Sequence, residues 1–167
     1  MSALWLMLGC ARDAVERSAS SSESRLLPAW VFATTDGKPF SSEDAKGRST
    51  VILFFTTYDT ASQIAVGRLN SEIHTLKRRI NALGVALEPP NHAVLVGVFH
   101  DSLHLAYPLL LPDPATFAGH GPFGTVDVVP TWVVLDSLGR EIWRGSGVSA
   151  MTELHQVLVG LGATAEQ

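Results

Sequence analysis

The sequence predicts one α/β domain, a central mixed β-sheet flanked by helices, with an added β-hairpin at its N-terminal side. Three observations predict it. Thr50 to Thr57 (TVILFFTT) is an unbroken β-branched and aromatic run, the pattern of a strand covered on both faces. From Ala61 to about Leu83, the residues Val66, Leu69, Ile73, Leu76, Ile80 and Leu83 recur at intervals of three and four, which is one helix face. His92 to Phe99 (HAVLVGVF) reads as a second buried strand, so the three segments form a βαβ unit with parallel strands and a right-handed crossover.

The remaining elements follow in order. Met1 to Cys10 (MSALWLMLGC) is an apolar run ending in a small residue and a cysteine, and residues 11–25 are polar, serine-rich and without apolar periodicity, the composition of a flexible tether. Folded-domain signals run from residue 26 to 162. Trp30 to Thr34, the Asp36-Gly37 turn and Lys38-Pro39-Phe40 predict a small hairpin. Ser41 or Ser42 starts one helical turn that Gly47 stops. The long helix begins with a candidate capping box, Thr60-Ala61-Ser62-Gln63, carries Lys77-Arg78-Arg79 toward the negative end of its dipole and stops at Gly84. After the Pro89-Pro90-Asn91 connector and the second strand, Val128 to Leu135 and Glu141 to Gly145 are two more strands around a hairpin-type loop. Met151 to Leu161 closes the chain as a helix, capped by Ser149 or Thr152, with Leu154, Val157, Leu158 and Leu161 as its buried face.

Composition narrows the function. The 167 residues suit one domain; 46% are apolar and 17% charged, which is globular composition. With a net charge of -4 and only the local Lys77-Arg78-Arg79 cluster, no basic footprint for nucleic acid is present. The chain has one cysteine, Cys10, so it can form no intrachain disulfide and no paired-cysteine metal site.

Two local resemblances bear on location and fold. Leu8-Gly9-Cys10 resembles the last part of a lipobox, which implies a lipid-bearing Cys10, a membrane anchor and the periplasmic side of a bacterial cell envelope. No Lys or Arg precedes the apolar stretch, which is shorter than a usual secretory signal and too short to span a bilayer, so either the start is truncated or misplaced or the stretch is a frayed apolar N-terminus. Separately, the order of elements and the segment Val128-Val129-Pro130-Thr131-Trp132-Val133-Val134-Leu135-Asp136-Ser137-Leu138-Gly139-Arg140 are similar to the TlpA/ResA and AhpC/TSA branch of the thioredoxin superfamily. Phe54-Phe55-Thr56-Thr57-Tyr58 sits where those proteins lead into Trp-Cys-x-x-Cys. The resemblance covers about Leu26 to Leu161 and implies a thioredoxin-like fold.

The departure from that pattern decides the chemistry. Where the resemblance places Cys-x-x-Cys, this chain has Asp59-Thr60-Ala61-Ser62 after Tyr58. Thiol exchange needs an attacking thiolate and a resolving sulfur, and a peroxidatic role needs a cysteine that becomes a sulfenic acid. Neither is available at this turn, so a redox-inactive domain is expected, with no cofactor. Fold alone would suggest a thiol-disulfide oxidoreductase or an antioxidant protein, but fold does not confer function.

Two uses of the turn remain. Asp59 and Thr60 cap the helix, with Asp59 held charged by the dipole, or they touch a ligand at the sheet's carboxyl edge. The resemblance implies a cis Pro130, with Val129 offering its N–H and C=O to an extended protein or peptide partner; otherwise Pro130 only shapes its loop. Among the six histidines, His100 is expected after the second strand and His120 in the loop leading to Pro130. With Asp59 they make a weak candidate metal set, Asp101 or His104 being alternates. Copper chaperones of the SCO type resemble this fold but need two cysteines, so hydrogen-bonded or exposed histidines are the default. His74 and His155 belong on helix surfaces and His92 in a loop. Trp30, Trp132 and Trp143 are expected to pack on or beside the sheet, whereas the Gly119, Gly121 and Gly124 run lacks P-loop spacing and reads as an irregular loop.

Overall fold

The structure is a computed structural model that describes residues 24–76 and 80–164. The lipobox-like stretch with Cys10, nearly all of the tether and Lys77-Arg78-Arg79 lie outside the described residues. The described strands are β1 (Arg25–Leu26), β2 (Val31–Thr34), β3 (Pro39–Ser41), β4 (Thr50–Phe55), β5 (Asn81–Ala86), β6 (Leu109–Leu111), β7 (Thr131–Leu135) and β8 (Arg140–Ser146). The helices are α1 (Ser42–Ala45), α2 (Thr60–Thr75), α3 (Ala93–Ser102), α4 (Pro114–Phe117) and α5 (Met151–Thr164).

All eight strands form one sheet in the order β1-β8-β7-β4-β5-β6-β2-β3. Strands β4, β5 and β6 are mutually parallel and every other pairing is antiparallel, so the sheet is mixed, as expected. Strand alternation makes two cores. Val51, Leu53, Phe55, Leu109, Trp132 and Val134 pack beneath α2, α3 and α5; Ile52, Phe54, Val85, Leu110, Val133 and Leu135 point to the other face, beneath Trp30, Phe32 and Phe123. Because β4 and β7 are buried on both faces, each reads in sequence as a continuous apolar run. The hairpin β2–β3 forms where the Asp36-Gly37 turn placed it, with Gly37 at φ 82°, and it extends the sheet beyond β6.

Three expectations are corrected. The long helix ends at Thr75, and Asn81–Ala86 is the second parallel strand. The three-four spacing ran on through Ile80 and Leu83 by coincidence. What decides is the alternation inside β5: Ala82 and Ala86 face one core while Leu83 and Val85 face the other. Gly84 is therefore no helix stop. A Cβ there would lie 2.4 Å from Leu109 Cδ2 and 3.2 Å from Phe55 Cε1, so glycine leaves the room that these neighbouring side chains fill.

The run His92–Phe99 is not a strand but the bulk of α3, entered through a 3₁₀ turn Pro90–His92 with proline at its start. The place beside β5 is taken by Leu109–Leu111, a three-residue strand between prolines that is too short to show a period. Arg25, assigned to the tether, belongs to β1: it pairs with Glu141 of β8 and donates to its carboxylate at 3.2 Å. Trp30 and Trp132 are buried and Trp143 half-buried. Helix α5 buries Leu154 and Leu158, with Val157 and Leu161 half-buried beside them, but Thr152 lies inside it and a 3₁₀ turn, Val148–Ala150, precedes it.

Candidate functional site

The central strand β4 delivers its carboxyl end into the turn Thr56–Asp59, and this turn feeds α2. Asp59 is the N-cap: its backbone is extended (φ -97°, ψ 129°) and its Oδ2 accepts from the Ser62 N–H at 2.7 Å. The expected Thr60–Gln63 capping box does not form, because Gln63 Nε2 donates instead to the Thr57 carbonyl at 2.9 Å. Ser62 is fully buried, and its Oγ accepts from the Thr56 N–H at 3.2 Å. The hydrogen bond from the Ser62 backbone, and then that from its side chain, holds the Asp59 carboxyl below the usual carboxylate range. Asp59 is thus an anion at neutral pH, unsuited to proton donation, and no sulfur stands nearby in sequence. Tyr58 projects outward, 75% exposed.

Glu88, which sequence reasoning missed, holds this turn from below. It follows β5, is 2% exposed, and its Oε1 accepts from the Thr57 N–H at 2.7 Å while Oε2 lies 3.0 Å from His92 Nδ1. Burial pushes the carboxyl up, but the Thr57 and His92 hydrogen bonds outweigh it and leave the group below its usual value. The available signal was an acid placed directly after a buried strand, in the run Val85-Ala86-Leu87-Glu88.

On the other side of β4, strand β7 begins at a cis peptide bond, Val129–Pro130. The antiparallel register pairs Phe54 with Thr131. The pairing ends there, so the loop before Thr131 and the turn after Phe55 leave the sheet side by side. Thr131 Oγ1 donates to the Val128 carbonyl at 2.6 Å, and the Gly147 N–H donates to the Pro130 carbonyl at 2.7 Å. The loop is thereby fixed on both sides. Val129 itself has neither N–H nor C=O engaged by another backbone group among the described residues. Around it the surface is apolar: Val128 is 54% exposed, Val148 37% and Ile64, one turn into α2, 52%. A groove of about 460 Å³ continues from this rim between α2 and the start of α5.

The weak candidate metal set is not assembled. His100 lies on α3 rather than after a strand, and its ring is engaged by Asp101 Oδ1 at 3.0 Å and the Tyr107 carbonyl at 3.2 Å. Among the described residues, no three His, Cys, Asp or Glu side chains are grouped so as to hold a metal ion. His155 instead joins two helices through Glu72, at 3.0 Å. Glycines 119, 121 and 124 belong to the irregular stretch after α4, where Gly121 packs directly on Thr116.

The sheet order, the helix leaving the central strand and the proline loop beside it define a thioredoxin-like fold. Solved structures of similar shape agree. They include an uncharacterized thioredoxin-like protein from Porphyromonas gingivalis, 18% identical, covering 82% of this chain and 92% of that one, with a TM-score of 0.69. A thioredoxin-family thiol:disulfide interchange protein from Chlorobium tepidum TLS is 21% identical, covering 84% and 98%, at a TM-score of 0.64. A secreted Mycobacterium tuberculosis disulfide oxidoreductase homologous to E. coli DsbE is 16% identical, covering 79% and 96%, at a TM-score of 0.63. At these identities the likeness establishes the fold alone. No protein-family model matches the sequence, and no curated protein matches it. Within this fold the chain is a variant with a single cysteine, Cys10, and with Asp59-Thr60-Ala61-Ser62 at the turn entering α2.

Proposed function

We propose that this chain is a thiol-free thioredoxin-like domain that binds an extended protein or peptide segment at the carboxyl edge of its sheet, without redox chemistry. The observation that carries the reading is the unengaged backbone of Val129 in a fixed loop, bordered by exposed Tyr58, Val128 and Val148. A strand-like segment laid beside Val129 gains main-chain hydrogen bonds and buries its alternate side chains on that rim. Catalysis is not part of the proposal, since the turn offers an ionised carboxylate, hydroxyls and a phenol but no thiolate.

The same proposal places the domain in a bacterial cell envelope, held to a membrane through lipid on Cys10. The lipobox-like Leu8-Gly9-Cys10 supports the anchor, and the secreted oxidoreductase of similar fold supports a location outside the cytoplasm. Among the described residues no helix is long and apolar enough to cross a membrane. Acyl chains contribute about 0.8 kcal/mol per buried methylene, so two or more hold a domain stably.

The test is an array of unstructured octapeptides of mixed sequence, followed by amide chemical shifts of the labelled domain with a captured peptide. Shifts concentrated at Tyr58, Thr60 and Val129 are expected. Shifts confined to the opposite end of the sheet would remove the proposal.

A further inference from the structure

We infer that the segment bound at this edge is cationic, with a lysine or arginine on either side of an apolar residue. The inference rests on the peptide-binding reading above and specifies its partner.

Two features select this chemistry. The first is the groove that opens beside the proline loop. Its apolar lining is Ile64 and Gly67 of α2, Val148 of the 3₁₀ turn and Met151 of α5, the rest being polar (Arg68, Ser71 and Thr152), and a Cβ on Gly67 would meet nothing within 4 Å. Beside an extended segment at Val129, this groove takes one apolar side chain. By itself such a groove accepts any apolar residue.

The second feature is the charge of the loops surrounding it. The segments that reach this edge, residues 56–63, 87–92, 112–130 and 146–150, carry Asp59, Glu88, Asp113 and Asp127 and no lysine or arginine. Glu88 is buried under the turn and Asp113 caps α4, accepting from the Thr116 N–H at 2.7 Å. Asp59 keeps one carboxylate oxygen beyond its capping bond, and Asp127 is exposed with no ion pair among the described residues. Several acids elsewhere have a cation beside them, Arg140 lying 2.7 Å from Asp136, Arg144 2.6 Å from Glu141 and Lys46 2.6 Å from Glu43. Arg68, the one charged side chain that lines the groove, is itself paired with Glu72 at 3.1 Å. The edge is therefore a partly apolar slot beside loops whose own Asp and Glu residues outnumber their cations; Arg25 and Arg144, which donate to the Pro122 and Phe123 carbonyls of one loop, are both paired with Glu141. Such an excess of acids attracts cationic segments and repels acidic ones over about one Debye length, roughly 8 Å at physiological salt. An extended chain presents residues alternately, so an apolar residue turned into the groove leaves both of its neighbours on the face that meets Asp59 and Asp127.

The experiment compares three fluorescent octapeptides alternating valine or leucine with lysine, with glutamate or with glutamine. Affinity is read by anisotropy and the contact by the Val129 amide shift. The lysine peptide is expected to bind at least about tenfold more tightly than the glutamate peptide, with the preference shrinking as salt rises. Asp127→Asn alone should cost the lysine peptide about two- to fivefold, and Asp59→Asn with Asp127→Asn should bring the three peptides close together. Asparagine at position 59 retains an N-cap acceptor, and an unchanged circular dichroism spectrum certifies the fold. Equal binding of all three peptides with the Val129 shift present would overturn the charge inference and leave the peptide site standing. A lysine preference that survives the double variant would also overturn it. Failure of every peptide to shift Val129 would defeat the peptide site itself.

Discussion

Replacing Glu88 with alanine removes the carboxylate that holds the turn before α2, and its cost can be worked from the geometry. The hydrogen bond from Thr57 N–H to Oε1 is 2.7 Å long and reaches a carboxylate that is 2% exposed. Losing a charged acceptor of this kind costs about 1.5–3 kcal/mol, toward the lower end because Thr57 is only half-buried and water can replace part of the bond. The contact with His92 adds up to about 1 kcal/mol, since that ring is 36% exposed. The expected loss is about 2–3 kcal/mol, or a fall in Tm of about 6–10 °C for a domain of this size.

The pH dependence gives a second check on Glu88. Its carboxyl sits below the usual value of 4.5 when folded, so its contribution is present above that value and disappears as pH falls through the folded pKa. The gap between wild type and Glu88→Ala should be full at neutral pH and close in acid. Glu88→Gln keeps an acceptor without the charge and should lose about half as much. Urea unfolding followed by tryptophan fluorescence measures all three proteins. A Glu88→Ala cost under about 0.5 kcal/mol, or a gap that does not change with pH, would refute this account of the turn.

Gly84→Ala forces a methyl against Leu109 and Phe55 and should destabilise by about 1–3 kcal/mol, seen as a lower urea midpoint; a neutral result would contradict the strand register. Tyr107→Phe deletes the hydroxyl that donates to the Val66 carbonyl at 3.0 Å, so differential scanning calorimetry should show a loss of about 1 kcal/mol. Cys10→Ser should move the protein from the membrane to the soluble fraction, while insulin reduction stays at reagent background for both wild type and variant.

Much of the fold was legible because its signals are local. The two-sided burial of β4 and β7 wrote continuous apolar runs into Thr50–Thr57 and Thr131–Leu135, and turn residues marked the hairpins at Gly37 and Gly139. The segment between α2 and β7 was not legible, because there period and apolarity disagree with role. Helix α3 is almost wholly apolar yet buries only Val96 completely, leaving Val94 77% and Val98 58% exposed, so it looks like a buried strand in sequence. In β5 the small residues Ala82, Gly84 and Ala86 carry little hydrophobic signal although they lie in the core.

The turn Tyr58–Ser62 and the loop at Val129–Pro130, both singled out in the sequence, stand at one edge of the sheet. Glu88 was missed because its partner, the Thr57 N–H, is a backbone group 31 residues away. Reading His92–Phe99 as a strand put His100 at that edge and so supplied the premise of the metal set, which falls because the segment is helix α3.

Amide hydrogen exchange at Val129, with and without a bound extended peptide, addresses the central claim most directly. If a partner strand pairs with this residue, its exchange should slow about tenfold when nine-tenths of the domain is occupied, with no disulfide turnover accompanying it. Exchange that stays unchanged while the peptide is bound would show that recognition happens elsewhere on the molecule.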